Sequence, residues 1–274
     1  MDDTLTSTLP APEAPDSPRR FDPRRAVRLL AILVSVALVG GAGWYLLLFL
    51  VTGTESASAA IGSTVRNVEL TVDSGDIDVD VVGQGERPEL HKTLTTSFRT
   101  PEETVRQDGD TLYVTTRCGD GVGECASDYD LTVPAGTRIT VSTRLGDVSV
   151  QGVQASVEGR TEMGSVHLER ITGERIVAVS KTGAVTLKDV VFDTAEATTR
   201  LGDVLVEDID PFEKLTASSR TGDVEVILPK EAGPFAVNAE TELGDRKVTV
   251  GQDSSSGASV DARTGIGDVT VRSN

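Results

Sequence analysis

Over the C-terminal half of the chain apolar and polar residues alternate, and a glycine interrupts the alternation at nearly regular intervals. These glycines are Gly146, Gly164, Gly183, Gly202, Gly222, Gly244 and Gly267, spaced by 18, 19, 19, 20, 22 and 23 residues. Each sits in a variant of one phrase: LGDVSV, MGSVHL, TGAVTL, LGDVLV, TGDVEV, LGDRKV, IGDVTV. Seven residues before the glycine stand Ile139, Val157, Ile176, Ala195, Leu215, Val237 and Val260; two after it stand Val148, Val166, Val185, Val204, Val224, Arg246 and Val269. Positions five before, three before and four after keep the same parity. A period of two puts alternate side chains on one face of a strand. Each repeat therefore predicts strand, tight turn, strand, and the apolar spacing of three and four that a helix needs is missing. A repeat near 20 residues with a shared turn signal predicts an all-β solenoid of about 19–23-residue coils.

The columns add detail to that coil. Five before the glycine the residues are almost all Ala or Gly, so opposite walls are expected to approach closely. Three before stand Thr143, Thr161, Ser180, Thr199, Ser219, Thr241 and Thr264, whose hydroxyls are expected to satisfy backbone groups at the bend. Val153, Ile171, Val190 and Ile209, seven after the glycine, suggest a short third side. Gly75, with Val68, Leu70 and Val72 before it and Ile77 and Val79 after, reads as the first coil. The stretch between Gly75 and Gly146 is too long for one coil, and a strand cap inserted at about 81–135 is expected, with Asp108-Gly109 as a turn signal. Arg246 falls in an inward column and predicts a bulge or register shift. The last repeat runs to Asn274 and is expected to leave an unpaired edge strand.

The region before the repeats changes the picture from a free domain to an exported one. Residues 1–28 hold five of the eleven prolines and read as a disordered cytoplasmic tail. Leu29 to Val51 carries no charge, and 23 helical residues extend about 34 Å, enough for a transmembrane helix. Arg19, Arg20, Arg24, Arg25 and Arg28 precede this run, which puts the tail inside and the remainder outside. Residues 52–61 read as a linker and 62–274 as the exported solenoid domain. A cleaved signal peptide ending at Ala57-Ser58-Ala59 is the alternative; the long apolar run and long basic tail favour an uncleaved anchor. The net charge of −17 resides in the exported part. It excludes a basic footprint for nucleic acid and disfavours anionic lipid headgroups.

Candidate chemistry is sparse. Cys118 and Cys125 are the two cysteines, and in an exported domain they predict a disulfide closing a glycine-rich loop. With His91 and His167 as the only histidines, the ligands for a zinc site are lacking. His167 points outward by parity, and no catalytic motif is present, so neither catalytic residues nor a cofactor is expected. Directly after the repeat glycines come Asp76, Asp147, Asp203, Asp223, Asp245 and Asp268. Stacked in register, Asp147, Asp203, Asp223, Asp245 and Asp268 would form an acidic ladder with the chemistry of a divalent-cation site. The competing reading is that each Asp accepts N–H bonds in its own turn. Grouped acids also invite comparison with polysaccharide-cleaving β-helices, against which stands the want of an outward aromatic column.

The segments VELTVDSGDIDVD (68–80), LTVPAGTRITVSTRLGDVSV (131–150) and SSRTGDVEV (218–226) resemble the LiaG-like putative-adhesin domains of bacterial envelope proteins, over about residues 62 to 274. That resemblance implies a right-handed parallel β-helix and supplies no catalytic residues. The expectation is a non-enzymatic, single-pass protein of the bacterial cell membrane. Its acidic solenoid would meet an envelope protein or another copy of itself, in envelope-stress sensing or adhesion. A cation-binding or self-assembling module and a polysaccharide-processing enzyme are the alternatives.

Overall fold

Alternate residues on both flanks of each glycine do line one interior. A computed structural model of the protein describes residues 33–41, 43, 53–62, 64–83, 86–121, 123–210, 212–230 and 233–274. The chain divides into two units, Met1–Leu50 and Val51–Asn274. In the first, residues 33–41 and 43 are helical. Among the described residues no helix is long and apolar enough to cross a membrane. The expected tail, 1–28, and the rest of the expected span, Leu29–Val51, lie outside the described residues.

Among the described residues the second unit is a solenoid of nineteen strands. Its first strand, β1 (Gly53–Ala60), belongs to one end. On one wall β2 (Asn67–Ser74), β8 (Arg138–Leu145), β10 (Val157–Met163), the second halves of β11 (Val166–Thr182) and β12 (Val185–Leu201), and β14 (Lys214–Thr221) pair in parallel. On the other wall run β3 (Ile77–Val81), β9 (Val148–Gln151), the first halves of β11 and β12, β13 (Val204–Ile209) and β15 (Val224–Leu228). The register superposes the repeat columns: Val157 lies between Ile139 and Ile176, and Val166 between Val148 and Val185. These residues are fully buried, so each coil covers the apolar row of the next.

The small column does bring the walls together. A Cβ added at Gly159 would lie 3.2 Å from side-chain carbons of both Val148 and Val166 on the facing wall. The short third side also forms. Val153, Ile171, Val190 and Ile209 are buried, and residues 171–173 pair with 190–192. It ends in an aromatic stack: Phe192 and Phe212 have centroids 5.4 Å apart, and Phe212 and Phe235 5.9 Å. A second bend, six residues after the glycine, has positive φ at Gly152, Arg170, Asp189 and Asp208. Gly and Asp tolerate that conformation more readily than most residues. Arg170 occupies it while its guanidinium bonds Gln151 Oε1 at 2.7 Å.

The ends depart from the sequence order. After the Gly222 coil, the wall strand β14 pairs with β18 (Ser259–Ile266), and β18 pairs with β16 (Ala236–Leu243). Likewise β15 pairs with β19 (Val269–Ser273), and β19 with β17 (Arg246–Val248). The final coil is thus inserted between two earlier ones, and the Gly244 coil is outermost. The expected unpaired edge on the last repeat is therefore wrong, because β18 and β19 have neighbours on both sides. Arg246 causes no register shift either: it stands opposite Val269, is exposed, and reaches the Ala239 carbonyl at 3.4 Å. An inward column can hold an arginine in the outermost coil because one side of that coil faces water.

The other end repeats this inversion. β6 (Thr111–Arg117) pairs with β2, and β7 (Cys125–Val133) with β3, so the segment expected as an inserted cap contributes a full outer coil. Antiparallel strands then extend it: β5 (Glu102–Asp108) on β6, and β4 (Glu89–Thr96) on β7. The expected linker at 52–61 is corrected as well, since β1 pairs antiparallel with β4 from Gly53 to Ala60. GTESASAA has no apolar alternation because all of it is exposed on an edge.

Gly183 has φ +141, and a Cβ there would run into the Gly164 carbonyl of the adjacent coil. Gly183→Ala is expected to lower stability by about 3 kcal/mol or more. Gly136→Ala, where a Cβ meets nothing within 4 Å, is expected to change it by less than about 0.5 kcal/mol. Urea denaturation of the two variants measures both.

Candidate functional site

The glycine corner concentrates most of the residues singled out by the repeat. The Gly146 N–H donates to the Met163 carbonyl at 2.9 Å, Gly164 N–H to Thr182 O at 2.8 Å, and Gly183 N–H to Leu201 O at 2.8 Å. The glycine carbonyl accepts a hydroxyl from the next coil: Thr161 to Gly146 (2.8 Å), Ser180 to Gly164 (2.8 Å), Thr199 to Gly183 (2.9 Å) and Ser219 to Gly202 (2.9 Å). The expected role of the hydroxyl column is correct, but each bond crosses between coils. At the two inverted ends the pattern follows space rather than sequence, with Thr143 bonding Gly75 at one, and Thr264 bonding Gly222 and Thr241 bonding Gly267 at the other.

The acidic row serves the same seam. Asp147 Oδ1 accepts the Ser165 N–H at 2.6 Å, Asp203 Oδ1 the Asp223 N–H at 2.8 Å, Asp223 Oδ1 the Asp268 N–H at 2.8 Å, and Asp268 Oδ1 the Asp245 N–H at 2.8 Å. Each carboxylate therefore binds the turn of its neighbour, where the sequence suggested its own. Asp245 ends this line in the outermost coil. Among the described residues no group of three or more His, Cys, Asp or Glu is arranged to hold a metal ion.

One row at the corner escaped the sequence reading. Leu145, Met163, Leu201, Leu243 and Ile266, each just before its glycine, are 41–66% exposed. Parity would turn them inward, but the corner carries them out to solvent. The signal was available as a column of Leu, Met and Ile at one fixed offset, interrupted by Thr182 and Thr221.

Cys118 and Cys125 form a disulfide, with Cα atoms 6.0 Å apart. Their loop joins β6 to β7 and takes the place of a glycine corner in the outer coil. The Cys118 N–H donates to Asp73 Oδ2 at 3.0 Å, and Arg144 lies 3.7 Å from Asp73 Oδ1. An open cleft of about 400 Å³ adjoins the disulfide, between Arg99 and Arg144. At the same end Tyr129 covers the core above Ile77. Its hydroxyl meets the Thr116 hydroxyl and donates to Glu103 Oε1 at 3.0 Å, while Lys92 pairs with the other Glu103 oxygen. Burial pushes the Tyr129 phenol well above its ordinary value, and the Glu103 charge adds to this.

The histidines stand apart from these clusters. His167 lies on the outer surface, 3.3 Å from Glu169 Oε2. His91 Nδ1 is 2.9 Å from Ser58 Oγ on the exposed face of β4 and β1. Asp130 is opposite His91 in register, yet no hydrogen bond joins them among the described residues. The pair thus lacks the orienting acid of a triad.

Asp78 and Asp80 lie outward on β3, and burial raises both above the usual carboxylate range. Asp130, Asp76 and Asp80 raise Asp78 further against the Ser149 hydrogen bond; for Asp80, Asp130 adds and Arg170 opposes. A carboxyl raised in the folded state destabilises the fold above that raised value, and the penalty disappears as pH falls toward the unfolded value. Asp78→Asn with Asp80→Asn is expected to raise Tm at neutral pH and leave it unchanged below the ordinary carboxylate range, as read by thermal melts across pH. Thr199→Val, which leaves the Gly183 carbonyl without its donor, is expected to lose about 1–3 kcal/mol in urea denaturation.

A crystal structure described as a putative adhesin from Bacteroides fragilis is 14% identical; the alignment covers 81% of this chain and 97% of that one, with TM-score 0.54. At that identity the likeness shows the fold alone. A protein described as lipid binding, with the same qualifier, from Parabacteroides distasonis aligns at 10% identity over 81% of this chain and 97% of its own, with TM-score 0.43. An adhesin so described from Parabacteroides merdae gives 9%, 81%, 96% and 0.41. No curated protein matches the chain. The profile described as Toastrack DUF4097 matches residues 64–272, the solenoid from just before β2 into β19, and the chain belongs to that family.

Proposed function

We propose that this protein is a non-enzymatic, single-pass membrane protein whose exported acidic solenoid presents a rigid surface for protein contact in the bacterial cell envelope, in stress sensing or adhesion. The observation that carries this reading is the use of the corner groups. The hydroxyl column and most of the acidic row are committed to bonds between coils. Groups already holding the scaffold together are poorly placed to act as bases or nucleophiles. What the molecule offers to its surroundings is a long, stiff exterior. Stiffness follows from register: each interior residue is covered above and below, so bending a coil would expose apolar rows.

Anchoring is supported by the uncharged run Leu29 to Val51 and the five arginines before it. The net charge of −17 supports an exterior that stays soluble and is repelled by anionic headgroups.

Proximity labelling from a tag at Asn274, in the native host, is expected to mark a restricted set of envelope proteins. Labelling dominated by cytoplasmic proteins would overturn the export, and turnover of an envelope glycan by the purified chain would overturn the non-enzymatic reading.

A further inference from the structure

We propose that the exposed apolar row beside the glycine corner is a contact surface for a second copy of this chain, with the two solenoid axes side by side and pointing the same way. The proposal rests on the reading of the protein as an anchored interaction surface and names its partner. In space the row runs Leu145, Met163, Thr182, Leu201, Thr221, Ile266 and Leu243, each paired in register with the next. Seven layers at about 4.8 Å give a strip roughly 29 Å long. Five of its seven side chains are large, apolar and 41–66% exposed. Scattered exposed leucines are ordinary, but five large apolar side chains filed along one edge, broken only by Thr182 and Thr221, mark an interaction site.

The charges on its two flanks identify the occupant. Because the chain runs around each coil, the residue two before the glycine lies on one flank and the residue one after on the other. The first flank holds Arg144, Arg200 and Arg220, and the second holds Asp147, Asp203 and Asp223, in the same three layers. Where the first flank carries Glu162, the second has Ser165, so that layer brings no two acids together. Arg200 and Arg220 make no ion pair among the described residues, although Arg144 lies near Asp73.

Consider two such edges meeting row to row. A two-fold axis parallel to the solenoids places the basic flank of one copy against the acidic flank of the other, layer by layer. A two-fold that reverses one solenoid places like against like. Only the parallel arrangement brings Arg144, Arg200 and Arg220 to Asp147, Asp203 and Asp223 of the second copy. One adverse layer, Glu242 with Asp245, falls in the outermost coil. The acidic flank also argues against a lipid surface as the occupant, since anionic headgroups would be repelled.

The strip is narrow, below the roughly 800 Å² per partner of a standard interface. Pairing is therefore weak in free solution and is favoured when both copies are held in one membrane, which raises their effective concentration. Parallel axes also put β1 of both copies at the same end, as two chains anchored in one bilayer require.

The test uses the full-length chain in its membrane with single added cysteines, the Cys118–Cys125 disulfide kept intact. A two-fold parallel to the axis brings identical layers face to face. Under a mild oxidant, Leu201→Cys and Met163→Cys should each give disulfide-linked dimers on non-reducing gels. Glu174→Cys, exposed on the third side, should not. Adding Arg200→Glu and Arg220→Glu to Leu201→Cys should reduce the dimer roughly tenfold. Cross-linking of Leu201→Cys no greater than that of Glu174→Cys overturns the proposal. So does a mixed product of co-expressed Leu145→Cys and Leu243→Cys, which an antiparallel pair would give. Linkage of Leu201→Cys only to a different envelope protein overturns the self-contact while leaving the interaction reading standing. Circular dichroism of each variant confirms that a missing dimer is not a misfolded chain.

Discussion

The carbonyl of one corner glycine occupies the place where a Cβ on the corner glycine of the next coil would project. This close approach of backbone to backbone sets the stacking of the whole solenoid. It lets every corner glycine N–H but that of the outermost Gly244 reach a carbonyl in the adjacent coil, and lets a threonine or serine hydroxyl close on the glycine carbonyl. Six acids supply the remaining acceptor: Asp76, Asp147, Asp203, Asp223 and Asp268 after the glycines, and Asp128 at the matching place in the outer coil. The corner peptide, which a bend would otherwise leave without partners, is satisfied by its neighbours, as buried backbone groups must be. A side chain at the glycine would separate the coils and break this seam.

An axial stack must also end, and apolar coils cannot end in water without cost. Both ends solve the problem by inverting the order of two coils. The Gly244 coil, with Arg246 in its interior column and only partly buried Val237 and Val248, is the poorest candidate for burial on both faces, and it lies outermost. The better-packed Gly267 coil fills the interior place. At the opposite end Tyr129 covers the core with its ring and turns its hydroxyl to Thr116 and Glu103. The exposed edges there are β5, rich in charge, and the small polar strand β1. Polar and charged edges of this kind discourage further strand pairing.

This division of labour directs attention to the sides of the solenoid. The interior columns and the corner seam hold the scaffold, each end finishes on an outer coil, and the outward columns vary from coil to coil. The row beside the glycine is the exception, because it repeats apolar residues where water can reach them. Its two flanks carry opposite charges at matching layers.

Sequence alone determined the strands, the corner and the interior columns, because a period of two and a recurring glycine are local properties of the chain. The buried valines, the hydroxyl column and the short third side beginning at Val153, Ile171, Val190 and Ile209 were all legible for that reason. The two cysteines, close in sequence and read as exported, were legible as a disulfide as well. Other features depended on which coil lies beside which, and no local pattern encodes that. The inward arginine at 246 looked like a fault until its coil proved to be outermost. The aspartates looked like servants of their own turns until the next coil was in place to donate the N–H. GTESASAA looked like a linker because its pairing with β4 leaves all its side chains in water. Tertiary structure decided these matters because coil order is fixed by the competition of whole coils for burial, a quantity that belongs to the stack and not to any one segment of it.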